Sequence, residues 1–204
     1  MTREEAQKRL EIIDTRLIAR LADFIKPTDS YSTQIDLLLR KTREKVGKRY
    51  KRGLIVGRFQ PIHLGHIFLM KQAIEICEEI VIGIGSANKF DIDNPFSVED
   101  RERGLKRALK EHGLDEKVTA IVRLNDYDNN DRAWGKEVLK KTKNFPVDVA
   151  IGHNDWVNRI LRPAGVAIID TELPEFDRSD HQGSVIREKL RLEGFLPNTA
   201  PQSA

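Results

Sequence analysis

From Gly53 onward short apolar runs alternate with helical stretches, and that alternation confines the chain to one broad class of fold. The runs are Leu54-Ile55-Val56, Ile80-Val81-Ile82-Gly83-Ile84, Val118-Thr119-Ala120-Ile121-Val122, Val147-Asp148-Val149-Ala150-Ile151 and Val166-Ala167-Ile168-Ile169. They are rich in β-branched residues and nearly continuous in apolar character, as strands covered on both faces must be. Helical candidates lie between and after them at 64–79, 97–112, 131–143, 154–162 and 183–193. Strand and helix in regular succession predict an α/β fold: a Rossmann-like, doubly wound parallel sheet of about five strands with right-handed crossovers.

The first 52 residues differ in both pattern and charge. They hold 14 Lys and Arg against 8 Asp and Glu, whereas residues 53–204 hold 21 against 24, so the net charge of +3 conceals a basic N-terminal segment. Residues 2–25 predict an amphipathic helix, with Thr2 and Glu5 spaced as a capping box and Leu10, Ile13, Leu17, Leu21 and Phe24 on one stripe. Pro27 ends it, and Ser30 to about Val46 predicts a second helix carrying Ile35, Leu38 and Leu39. The expected organisation is a basic helical extension, 1–52, followed by an α/β domain, 53–204. The apolar stripe needs a partner surface, either that domain or a second subunit. In residues 40–52, Arg40, Lys41, Arg43, Lys45, Lys48, Arg49, Lys51 and Arg52 face only Glu44. Nucleic-acid binding is one reading of this run, and a solvated helix face is the plainer one. Cys77 is the single cysteine and sits among isoleucines, which points to a buried thiol and excludes an intrachain disulfide. With no apolar run near the roughly 20 residues that span a bilayer, a soluble cytoplasmic protein without membrane contact is expected.

The strand Leu54-Ile55-Val56 runs directly into Gly57, and a helical pattern begins at Leu64 with Ile67, Phe68, Ala73 and Ile74. The loop between them therefore lies at the carboxyl end of the first strand, where open α/β sheets bind ligands. Gly57 permits a sharp turn and close approach of a phosphate, Pro61 stiffens the loop, and Gly65 leaves room beside two imidazoles. The free N–H groups of the helix start favour an anion. His63 and His66 share one side of the first helical turn, so both can donate to phosphate oxygens. No cysteine or third histidine stands near them in sequence, which argues against a zinc site.

The run Gly57-Arg58-Phe59-Gln60-Pro61-Ile62-His63-Leu64-Gly65-His66 resembles the GxFxPxHxGH signature of the HxGH nucleotidyltransferase superfamily. Its Gly-Arg-Phe-Gln-Pro form is most similar to archaeal-type nicotinamide mononucleotide (NMN) adenylyltransferases. The resemblance extends from about Leu54 to Pro197 and takes in Ile82-Gly83-Ile84-Gly85-Ser86-Ala87, Asn94-Pro95-Phe96-Ser97 with Arg101, Gly152 with Asn154, and Gly183-Ser184-Val185-Ile186-Arg187. It implies that Gly57, Arg58, Phe59, Gln60, His63, Gly65, His66, Gly152, Asn154, Gly183, Ser184, Ile186 and Arg187 bind the nucleotide. By the same resemblance Gly183 to Arg187 cradles the β- and γ-phosphates of ATP, although Gln182 replaces the usual serine and Ser184 the usual threonine. Ser86, Phe96, Arg101, Asp126 and Trp134 are implied on the acceptor side, the tryptophan stacking on a nicotinamide ring; ordinary helix core is the other reading of Trp134. Here the pattern departs from the family: Asn88 to Asp93 is one residue short and lacks a Ser-His pair, and Asp126 to Trp134 is one residue longer.

The implied activity is transfer of AMP from ATP, with Mg2+, to NMN, giving NAD and pyrophosphate. His63, His66, Arg58 and Arg187 are the expected catalytic groups, with no metal held by the protein itself. Two alternatives stay open: a different phosphorylated acceptor (FMN, phosphopantetheine or a phosphorylated alcohol, with ATP or CTP as donor), and a nucleotide- or nucleic-acid-binding protein without catalysis. Homo-oligomers are common in the family and are expected here too.

Overall fold

The computed structural model describes residues 16–45, 47, 49–169 and 182–196. All five apolar runs are strands of one parallel sheet: β1 (Tyr50–Gly57), β2 (Cys77–Ile84), β3 (Val118–Arg123), β4 (Val149–Ile151) and β5 (Ala167–Ile169), in the order β3-β2-β1-β4-β5. The helices are α1 (16–23), α2 (Asp29–Lys45), α3 (Leu64–Ile76), α4 (Val98–Glu111), α5 (Asp131–Lys141), α6 (Asp155–Leu161) and α7 (Gly183–Leu192).

Successive strand residues point to opposite faces, and the two faces have separate cores. Ile55, Ile80 and Ile82 join α3, α4 and α2 through Ile67, Met70, Leu105 and Ile35. Leu54 and Val81 join α5 and α6 through Trp134, Val138, Val157 and Leu161. Strand order reverses between β1 and β4, which opens a crevice at their carboxyl ends and fixes where a ligand can enter. A third apolar cluster lies beside the sheet, where Phe24, Phe96, Ile186, Leu190 and Leu196 pack with Leu17 and Leu21.

Two boundaries depart from the sequence expectation. The helix expected over 64–79 ends at Ile76, and β2 begins at Cys77 with no loop between. The first strand begins at Tyr50, four residues before its apolar run. Both follow from pairing: the β1–β2 ladder extends back to Tyr50 opposite Cys77, and Gly53 leaves space filled by the Cys77 sulfur, which a Cβ would approach to 2.8 Å. Charged residues are drawn into the strand because Arg52 pairs with Glu79 across it and Thr119 also donates to Glu79. Cys77 is buried, and burial pushes its thiol up to about 12, so it is inert at neutral pH.

The N-terminal helices pack on this same chain. Ile35 is buried against the first core, and Leu38 and Leu39 lie on it. Arg43 grips Glu75 of α3 through two hydrogen bonds of 2.6 and 2.9 Å; Arg20 does the same to Glu193 at 2.9 and 2.8 Å. The Phe24 carbonyl accepts the Leu64 N–H at 2.8 Å, at the first residue of α3. Solvent screens exposed pairs of this kind so that they contribute little, and the buried Phe24, Ile25 and Ile35, at about 1.5–3 kcal/mol apiece, hold the extension down. The expected cap at Thr2 and Glu5, with Leu10 and Ile13, lies outside the described residues. Among the described residues no helix is long and apolar enough to cross a membrane.

Candidate active site

Three segments converge on the crevice: the β1–α3 loop, the turn after β4, and the start of α7. In the first, Phe59 adopts a positive φ of 51°, which turns its ring back over Gly57. A Cβ on Gly57 would lie 3.1 Å from the Phe59 ring. The glycine is therefore needed to admit the phenylalanine, where the sequence suggested close approach of a phosphate. Phe59 itself is buried at 1% exposure, and its ring centroid lies 4.7 Å from that of His66. It supports the His66 ring from behind.

His63 is the N-cap of α3 and His66 its third residue, with ring centroids 3.8 Å apart. The His63 backbone N–H donates to His66 Nδ1 at 3.3 Å. An Nδ1 that accepts carries no proton, so the neutral ring bears its hydrogen on Nε2 and presents a donor there. Burial, and then the charge of His153, lower the His66 pKa from 6.5 to about 3. His66 is thus a neutral N–H donor at physiological pH. Gly65 lies between the two histidines in the same half-buried turn.

The start of α7 is seated directly on this loop. A Cβ on Gly183 would come within 3.1 Å of the Gln60 carbonyl, and Arg187 donates from Nη1 to that same carbonyl at 2.8 Å, across 127 residues of sequence. Arg187 is 6% exposed, and its Nε meets no hydrogen-bond partner among the described residues. Burial first, then Arg58 and Arg191, lower its pKa, although a guanidinium remains charged. A buried cation with an unmet donor, near a second arginine and two helix starts, is built for an anion. Ser184 is exposed in the first turn of α7. The Ile186 side chain is fully buried in the third cluster and its N–H goes to the Gln182 carbonyl at 3.0 Å.

Several other expected contacts hold up the site from behind. The Gln60 side chain clamps the Phe96 backbone, donating at 3.0 Å and accepting at 3.1 Å. The Phe96 ring lies in the third cluster. Arg101 is 3% exposed and donates to the carbonyls of Arg58 at 2.9 Å, Gly85 at 2.8 Å, Ser86 at 3.0 Å and Ser97 at 3.4 Å. It ties the β1 and β2 loops together, with Ser86 held at a φ of 50°. Trp134 is 2% exposed, packed in the second core under Trp156 with ring centroids 4.6 Å apart. Core packing, left as the other reading of Trp134, is what the fold gives it, because α6 brings a second indole over the first. Asp126 is half-buried in the loop after β3. Gly152 and Asn154 follow β4, and Asn154 Oδ1 caps α6 through the N–H groups of Trp156 at 3.1 Å and Val157 at 3.3 Å.

A family model described as cytidylyltransferase-like matches residues 54–189, from β1 into α7. The chain belongs to the cytidylyltransferase-like family. Its relatives in that family include nicotinamide-nucleotide adenylyltransferases of two archaea. That of Archaeoglobus fulgidus is 36% identical over 148 residues, 70% of this chain and 81% of the relative. That of Thermococcus kodakarensis is 38% identical over 145 residues, 71% of this chain and 74% of the relative. A crystal structure of a bifunctional NMN adenylyltransferase/ADP ribose pyrophosphatase from Francisella tularensis, complexed with AMP and a manganese ion, is similar with a TM-score of 0.59 and 27% identity. That match covers 70% of this chain and 42% of the other.

Within this family fold, three residues bear on the crevice that motif reasoning passed over. His153, in the turn after β4, is close enough to His66 to lower its pKa. Trp156, 38% exposed, donates from its indole N–H to Asp131 at 2.9 Å. Asn88 joins the β2 and β3 loops by accepting the Asp126 N–H at 2.8 Å and donating to the Asp126 carbonyl at 3.1 Å. His153 follows Gly152 and precedes Asn154, so its position could have been found; the other two depend on loop contacts.

Proposed function

We propose that this chain is a nicotinamide-nucleotide adenylyltransferase that transfers AMP from ATP to NMN, forming NAD and releasing pyrophosphate. One observation carries the reading: the neutral His66 donor and the buried Arg187 guanidinium both pack on the β1–α3 loop, at Phe59 and at the Gln60 carbonyl respectively. The archaeal relatives support NMN as the acceptor. A 5′-phosphate oxygen of NMN attacks the α-phosphorus, the bond from that phosphorus to the bridging oxygen breaks, and the electron pair leaves with pyrophosphate. The attacking phosphate is already ionised, so no general base is needed. Catalysis then rests on position and charge.

In this reading His63 and His66 hold the triphosphate, with Nε2 of His66 on the α-phosphate, where charge builds up. Arg58 and Arg187 neutralise the charge gathering on the departing pyrophosphate. The N–H groups of Gly183 and Ser184 offer further donors to it. Gly57, Gly65, Gly152 and Asn154 border the nucleotide, and Ser86 and Asp126 face the acceptor. The donor would enter as MgATP, its Mg2+ bound as part of the substrate and offsetting phosphate charge. Gln60, Phe59 and Arg101 are positioning residues.

Incubation with ATP, Mg2+ and NMN, assayed for NAD, tests the proposal. NAD is the expected product. A second reading, transfer to another phosphorylated acceptor, is favoured by the burial of Trp134 beneath Trp156. Pyrophosphate released with FMN, phosphopantetheine or a phosphorylated alcohol, and none with NMN, would choose it.

A further inference from the structure

A cavity of about 380 Å3 lies outside the crevice, between α1, α4 and the back of the β1–α3 loop. We propose that it binds a small amphipathic carboxylate, with the apolar body inside and the carboxylate on Arg107. The volume falls in the range of about 300–1,000 Å3 that small-molecule sites occupy. One wall is aliphatic, made by Leu17, Ile18, Leu21 and Ile25 from the N-terminal extension. The facing wall is Phe59, Pro61 and Ile62, the rear of the loop that carries the histidines. Such walls give an alkyl or aromatic body a dry environment.

The rim decides the charge of the occupant. Among the described residues three arginines line it, but two are committed: Arg103 pairs with Asp100, and Arg101 donates to backbone carbonyls. Arg107 lines the cavity and forms no ion pair with a described residue. A guanidinium at the mouth of an apolar pocket recognises a carboxylate through two parallel hydrogen bonds. The site is independent of the transfer reaction, although Phe59 links it to the crevice, one of its faces in the cavity and its ring beside His66.

Gly104 supplies the means of testing this. It lines the cavity, and among the described residues a Cβ there would meet only Ile62 Cγ2, at 3.9 Å. A leucine would extend into the space, and it is also the better helix former. The probes are decanoate and decan-1-ol, titrated calorimetrically into the full chain, its Gly104→Leu variant and its Arg107→Gln variant. Decanoate is expected to bind the parent chain with one site, at least about tenfold more tightly than the alcohol. Arg107→Gln should reduce decanoate to the level of the alcohol, and Gly104→Leu should abolish binding of both. Absence of saturable decanoate binding, parental affinity in Gly104→Leu, or parental affinity in Arg107→Gln would each overturn the proposal. Arg107 is exposed, so its variant keeps the test standing if Gly104→Leu loses its fold.

Discussion

The half of the crevice that the proposed reaction assigns to the phosphates and the half it assigns to the acceptor are held by different kinds of contact. On the first, Gln60, Arg101 and Arg187 are each more than nine-tenths buried and bonded to backbone atoms of distant segments. On the second, Lys89 meets Asp128 at 3.1 Å and Arg159 meets Asp131 at 3.3 Å in solvent, while Phe90, Tyr127 and Trp156 stand exposed. Buried bonds to backbone leave expensive orphans when broken, whereas exposed ones exchange readily for water. The first half therefore tolerates little change and suits a constant chemistry; the second can be altered cheaply and suits a choice of acceptor.

The largest effect should come from the first half. Replacing His66 by Ala is expected to lower kcat by roughly 100–1,000-fold, as loss of one preorganised donor does elsewhere, with little change in the KM for ATP. Turnover at the parental rate would remove His66 from the chemistry. Next comes Gln60→Ala, which strips both partners from the buried Phe96 backbone. Urea unfolding should show a loss of about 2–3 kcal/mol; a loss no larger than that of a surface substitution would erase the contrast between the two halves.

A third expectation concerns pH. Folded His66 stays neutral down to about 3, whereas in the unfolded chain it gains a proton near 6.5. The unfolded state then binds more protons between those values, so stability falls as pH drops through that window. The parent chain should lose more stability than His66→Ala between about pH 7 and about pH 5 by urea unfolding. Nitrogen-15 NMR should find the Nε2-protonated neutral ring throughout that range; a titration near 6.5 would contradict the geometry.

Smaller still, Trp156→Ala should raise the KM for NMN by roughly tenfold, the upper value of an exposed aromatic contact, and leave the KM for ATP unchanged. An equal rise in both would place Trp156 on the nucleotide. Least of all, Arg43→Ala should shift the thermal unfolding midpoint less than any substitution named above, despite its two short bonds to Glu75, because solvent screens an exposed pair.

Sequence alone determined the strands, the loop Gly57–His66 and the switch-point crevice, because apolar period and turn chemistry are local properties. The five runs became five parallel strands, and Asn154 and His63 became helix caps within a residue or two of their motifs. Residue types in the motifs did not reveal which side chains face a ligand. Phe59, Phe96, Ile186 and Trp134 all look available in sequence and are all buried, because Gly57, α1, α7 and Trp156 cover them. Gln60 and Arg101 look like ligand contacts, yet their donors end on carbonyls reached only after folding. Tertiary structure decided their burial and their partners: a polar group is satisfied by whatever the fold brings within about 3 Å, and for Arg187 that partner lies 127 residues away.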